Sequence, residues 1–177
     1  MFRFSVFSRA CYRTINALNQ GIGVSVSWLT LTMVLTTFII VVLRYSLDFG
    51  SIGLQESVGY MHAMVFMLGA AYTLKTDGHV RVDILYQRCS KPVRAWIDCL
   101  GVVLLLGPVA AFMLWSSWGY VADSWQIQEA SNNSGGLPGV YLIKSLIIVT
   151  ALLLSLQGLS MFLSSLNIAL GLTDGDE

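Results

Sequence analysis

One run of 23 residues without a charge, GIGVSVSWLTLTMVLTTFIIVVL at 21–43, constrains this chain more than any other feature. A hydrocarbon core about 30 Å thick is crossed by roughly 20 apolar helical residues. Three further stretches meet the same requirement, at about 54–74, 96–119 and 140–163. No water is available in that layer, so each backbone satisfies its own N–H and C=O groups and each stretch is expected to be a helix. Composition agrees: 55% of residues are hydrophobic and 11% charged, against about 45–50% and 25% in soluble domains. The expected fold class is an all-α membrane protein with four transmembrane helices. Residues 1–20 form an amphipathic N-terminal segment, 21–165 the four-helix domain and 166–177 an acidic tail.

The first stretch follows Arg3, Arg9 and Arg13, as the apolar part of a signal peptide would. It is too long for that role, and Arg44-Tyr45 follows it where a small-residue cleavage site would stand. It reads as a retained helix.

Cations set the orientation. Arg3, Arg9 and Arg13 precede the first span, and the connector after it carries Arg44. The connector between spans two and three holds Lys75, Arg81, Arg88, Lys91 and Arg94, while residues 120–139 hold no Lys or Arg. An N-in/C-in topology follows as the expectation, with the cation-rich connector in the cytoplasm and Trp115, Trp118, Tyr120 and Trp125 as an outer aromatic belt. The tail, with Asp174, Asp176 and Glu177, has little weight in this rule. Zero net charge gives no global case for nucleic-acid binding.

In the connector, His79-Val80-Arg81-Val82-Asp83 alternates polar and apolar residues. An extended backbone would place His79, Arg81 and Asp83 on one side. Asp83 suits the cap of a short amphipathic helix at 84–89, and Pro92 the first turn of span three. Two readings stand: a solvated turn anchored on phospholipid, or a docking surface for another protein. Phe2, Phe4, Val6 and Phe7 with the three arginines suggest an interfacial helix on anionic lipid.

Within the spans, Glu56 is a functional candidate because an intramembrane acid is costly. Glu56, Gly59, Ala63 and Ala70 share roughly one helix face, whose small residues admit a neighbouring helix. His62 is expected to be a hydrogen-bonded core histidine. His79 lies at the wrong level to join it as a second haem ligand. Asp98 is expected to pair with Arg94, Lys144 to snorkel outward, and Gln157 to bond across helices. Cys11, Cys89 and Cys99 include no CxxC pair and read as packing residues. The sequence has no GK[ST] phosphate loop, no HExxH and no Ser/His/Asp constellation. No span has the Gly/Pro-broken middle of a midplane ion site, with Pro108 a single kink candidate. Without those motifs the chain is not expected to be an enzyme, and so small a chain with so few intramembrane polar groups reads as an accessory subunit rather than a transporter acting alone. The alternative is a stand-alone proton-coupled transporter working through Glu56.

The stretch VVLRYSLDFGSIGLQESVGYMHAMVFMLGAAYTLKTDGHVRVDILYQRCSKPVRAWIDCLG, followed by SGGLPGVYLIKSLIIVTALLLSLQGL, resembles the small membrane subunit of TRAP transporters, the tripartite ATP-independent periplasmic uptake systems. Arg44 closing helix one, Glu56 opening helix two, Gly69-Ala70-Ala71, the GHVRVD at 78–83, and Pro138, Lys144 and Gln157 carry the likeness, over about residues 20–165. The family often shows two adjacent acids where this chain has Gln55-Glu56. The resemblance implies a bacterial inner-membrane scaffold that braces a large transport subunit, with a periplasmic solute-binding protein delivering small carboxylates, including 2-oxoacids. It implies no cofactor here, since the sodium sites lie on the large subunit. Partners are then that subunit, the binding protein and phospholipids. Arg44, Glu56, Gly59, Ala63, Ala70, His79, Arg81, Asp83 and Lys144 are the interface or lipid-anchoring candidates.

Overall fold

The computed structural model describes residues 2–80, 86 and 88–172, with side chains in the first helix from Ser8 onward. Helix α1 runs Phe2–Leu47, α2 Ile52–Lys75, α3 Lys91–Gly101, α4 Gly107–Gln126 and α5 Val140–Ala169. A π-helical stretch, Val102–Leu106, joins α3 to α4. Four spans long and apolar enough to cross a membrane result: Ser8–Leu47, Ile52–Lys75, Lys91–Gln126 and Val140–Ala169. The expected four-helix, all-α architecture is therefore present.

Every span is longer than the apolar stretch read from the sequence, because helix-forming residues at the ends continue the hydrogen-bond ladder. The clearest case is α1. Residues 1–20 were expected to stand apart, yet the helix continues through residue 20 without a break. Its 46 residues reach about 69 Å at 1.5 Å per residue. That is more than twice the hydrocarbon thickness of about 30 Å, so much of α1 stands outside it.

Pro108 lacks an N–H and its ring crowds the carbonyl four residues back. The helix adapts by widening just before it, where Gly107 N–H bonds to Val102 C=O in a π turn. A Cβ at Gly107 would lie 3.2 Å from that oxygen.

Helix α5 is the hub. It packs against α1, α2, α3, the π stretch and α4, while α1 also packs along α2. In its most apolar window 33% of residues are buried, against 6%, 11% and 11% in the other spans. The other spans thus leave most of their surface to lipid or to other proteins. Two helical glycines allow close approaches between spans. A Cβ at Gly158 of α5 would meet Leu106 Cδ2 at 2.8 Å, and one at Gly23 of α1 would meet Tyr72 Cγ of α2 at 2.3 Å.

The chain turns sharply after three helices. Asp77 (φ 58°), Gln128 (φ 49°) and Gly171 (φ 66°) adopt left-handed backbone. Each is followed by a residue whose N–H returns to a carbonyl five positions back: Gly78 to Thr73 at 2.9 Å, Glu129 to Ser124 at 3.0 Å and Leu172 to Asn167 at 2.9 Å. These are Schellman endings, which satisfy carbonyls left open at a helix terminus. The second one delivers Glu129 to the cluster described next. The bundle's near end holds the start of α1 and the end of α5; its far end holds residues 48–51 and 127–139.

Candidate functional site

At the far end, Ser51 caps α2, accepting from Leu54 N–H at 3.4 Å, and Glu56 follows in the second turn. The Glu56 carboxylate gathers the 127–139 connector. Ser131 Oγ and Asn133 Nδ2 donate to Oε1 at 2.5 and 2.9 Å, and Leu137 N–H donates to Oε2 at 2.7 Å. Ser131 N–H bonds Leu137 C=O at 3.1 Å and Gly136 N–H bonds Asn133 C=O at 3.0 Å, closing the loop around the acid. Gly135 sits at φ +78°, a backbone that favours glycine. A Cβ at Gly136 would lie 2.8 Å from Glu56 Oε1, so glycine is needed for the loop to reach the carboxylate. Glu56 is an anchor: both of its oxygens are engaged.

A second cluster stands beside it. Glu129 accepts from Ser124 Oγ at 2.7 Å and forms an ion pair with Lys144. The Lys144 ammonium lies 4.0 Å from the centre of the Tyr120 ring, a cation–π contact. Trp125 Nε1 donates to Ser145 Oγ at 2.8 Å and its ring meets Tyr141 edge-on, with centroids 4.7 Å apart. The Lys144 hydrogen bond, then that from Ser124, holds the Glu129 carboxyl below its ordinary value of 4.5. A depressed acid contributes stability above its unfolded value and loses it as pH falls through the folded one. Acidification from pH 7 should therefore leave the cluster intact until below pH 4.5. A Trp125-specific fluorescence change is then expected, and Lys144→Ala should move it to higher pH.

At the near end, α1 and α5 are joined by a polar ladder. Asn19 Nδ2 donates to Gln157 Oε1 at 2.8 Å, and Gln157 Nε2 donates to Asn16 Oδ1 at 3.1 Å. Ser160 Oγ donates to Asn16 Oδ1 at 2.8 Å, and Asn167 Nδ2 to Ser8 Oγ at 2.9 Å. Ser8, Asn19, Gln157, Ser160 and Asn167 are all buried. The cross-helix bond expected of Gln157 is present. Its partners were missed, although Ser8, Asn16 and Asn19 recur at helical spacing and carried a signal that a polar face lay there. Interhelical polar pairs in membrane proteins contribute about 0.6–2 kcal/mol. Gln157→Leu should cost about 1–2 kcal/mol in detergent unfolding, and the Asn19→Leu/Gln157→Leu double variant less than the sum of the singles.

Comparison with known proteins decides the family. A family model, "Tripartite ATP-independent periplasmic transporters, DctQ component", matches residues 33–167, which is 135 of the 177 residues. The chain belongs to the DctQ family. No curated protein and no solved structure gives a significant match. The DctQ family is a transporter component rather than an enzyme family, and with four apolar spans the chain is a multi-pass membrane protein. The start of α1, including Ser8, Asn16 and Asn19, precedes the matched stretch.

The remaining site candidates of this DctQ-family chain are spread over its surface. Arg44 is exposed in the last turn of α1. Ala63 and Ala70 are half-buried on α2, while Gly59 is exposed, so the face expected for Glu56, Gly59, Ala63 and Ala70 divides between bundle and exterior. His79 is exposed and lines a groove with Leu74, Ile97, Asp98 and Leu105. Arg81, Asp83 and positions 84, 85 and 87 of the short helix expected at 84–89 lie outside the described residues. Asp98 accepts from Tyr86 Oη at 2.8 Å, and Arg94 Nε donates to Cys89 C=O at 2.9 Å. His62, expected in the core, is instead exposed on α2. Among the described residues, no group of three or more His, Cys, Asp or Glu is placed to hold a metal.

Proposed function

We propose that this chain is the scaffold subunit of a secondary-active, sodium-driven TRAP transporter that imports small organic anions delivered by a periplasmic binding protein. In this reading it lies in the bacterial inner membrane, N-in/C-in, and braces the large subunit that carries the sodium and substrate sites. The observation that carries the reading is the engagement of Glu56. The carboxylate that a stand-alone proton-coupled transporter would use is occupied by three donors from the 127–139 loop. A scaffold role is also supported by the extensive exposed apolar surface of α1, the π stretch and α4, including Phe38, Leu104, Leu105 and Phe112. Exposed surface of this kind suits the lipid around a membrane-embedded scaffold. Carboxylates as the solute class rest on the family likeness. The cation-rich 78–94 connector is assigned to the cytoplasmic face, where phospholipid headgroups or the large subunit would meet it.

Affinity purification of the tagged chain in mild detergent from cells that also produce the large subunit tests the assignment. A fixed-ratio complex is expected. Recovery of the chain alone, monodisperse and free of the large subunit, would refute the scaffold role.

A further inference from the structure

The exposed positions of α2 are Ile52, Gln55, Gly59, His62 and Phe66. Their spacing of three and four residues places them on one helix face. His62 is the eleventh of 24 residues. It therefore lies about 15 Å along the helix from Ile52, close to the middle of a hydrocarbon layer about 30 Å thick. An imidazole carries at least one N–H donor in any protonation state. Among the described residues it has no hydrogen-bond partner.

Other exposed faces differ. On α1, the π stretch and α4 the comparable surface is formed by residues such as Val34, Phe38, Leu105 and Phe112. Exposed Thr37 and Ser155 return their hydroxyls to carbonyls of their own helices, at 2.8 and 2.7 Å. Hydroxyls satisfied in this way tolerate hydrocarbon. His62 has no such return bond, and a polar side chain of this kind in a span normally faces protein or water rather than lipid. One turn toward the far end, Gly59 leaves a notch: a Cβ there would meet nothing within 4 Å. Such an opening lets a second backbone approach closely.

We propose that the Gln55–Gly59–His62–Phe66 face of α2 receives a transmembrane helix of the large subunit, which packs at Gly59 and gives His62 a hydrogen-bond partner near mid-membrane. The proposal rests on the scaffold reading above, since the large membrane component of the tripartite system is the occupant it names. Lipid tails cannot supply the hydrogen bond, whereas a hydroxyl, amide or carboxylate on a membrane helix can.

The test co-expresses the tagged chain with its large subunit and measures how much large subunit is recovered. Gly59→Leu should reduce recovery about tenfold by filling the notch. The isolated variant should unfold at or above the wild-type temperature, because the added side chain begins in open space and leucine is favoured over glycine in a helix. Gly119→Leu on α4, another position where a Cβ meets nothing within 4 Å, should leave recovery unchanged. His62→Leu should weaken the complex and His62→Gln should restore part of it. Wild-type recovery from both Gly59→Leu and His62→Leu would overturn the α2 assignment while leaving the scaffold reading standing. A dimer of the isolated chain that Gly59→Leu splits would overturn it in favour of a second copy. Failure of the wild-type chain to recover the large subunit would overturn both readings.

Discussion

Gly23→Val should force α1 and α2 apart and lower the unfolding temperature of the chain more than any other single change considered. A Cβ at Gly23 would lie 2.3 Å from Cγ and 2.6 Å from Cβ of Tyr72. These atoms sit at the root of the side chain, so no rotation of a flexible tip relieves the clash. Overpacking of this kind costs about 1–3 kcal/mol and sometimes more. A cost of about 3 kcal/mol corresponds to a fall of roughly 6–12 °C for a chain of this size. The neighbouring Gly21→Ala should act with the opposite sign. A Cβ at Gly21 meets nothing within 4 Å, and alanine is favoured over glycine in a helix by about 1 kcal/mol. Adding Tyr72→Ala to Gly23→Val should rescue only in part, because the contact with Tyr72 Cβ remains. Thermal unfolding in detergent of the three variants beside the wild type checks this. Equal stability of Gly21→Ala and Gly23→Val would contradict the close α1–α2 contact.

Glu56→Ala should release the 127–139 loop while leaving the four helices in place. The substitution removes the acceptor of three hydrogen bonds, one of them from the backbone N–H of Leu137. Bonds to an ionised carboxylate are stronger than neutral ones, and their loss leaves the donors to find water. Exchange of the Leu137 amide should accelerate about tenfold or more, since the loop would then open locally without global unfolding. Glu56→Gln should fall between the two, because its single oxygen keeps an acceptor while its NH2 group confronts donors. Hydrogen exchange read separately for the loop and for α5 distinguishes local release from global unfolding. An unchanged Leu137 amide in Glu56→Ala would show that the carboxylate does not hold the loop.

The four spans were legible because crossing hydrocarbon imposes a length and an absence of charge that composition shows directly. Glu56 and Gln157 stood out for the same reason, as polar groups where such groups are costly. Which residues they pair with was not legible, even where a polar face on α1 was. Ser131 and Asn133 read locally as turn residues, and the acid that binds them lies 75 and 77 positions away. Asn19 and Gln157 are 138 residues apart. The continuity of α1 was missed because the end of a charge-free stretch marks where lipid ends, not where a helix ends. The side of α2 on which His62 falls was equally hidden. A helix that is apolar nearly all round gives no amphipathic pattern from which to read its inward face. The two glycines at Gly23 and Gly59 look alike in sequence, yet one is filled by Tyr72 and the other opens outward.

Solute uptake into proteoliposomes with or without an inwardly directed sodium gradient, reconstituted with the binding protein and large subunit in the presence or absence of this chain, tests the scaffold account most directly. The account predicts sodium-driven uptake only when all three proteins are present, and none by this chain alone. Uptake by the purified chain alone, abolished by Glu56→Gln, would contradict it and make Glu56 a transport site.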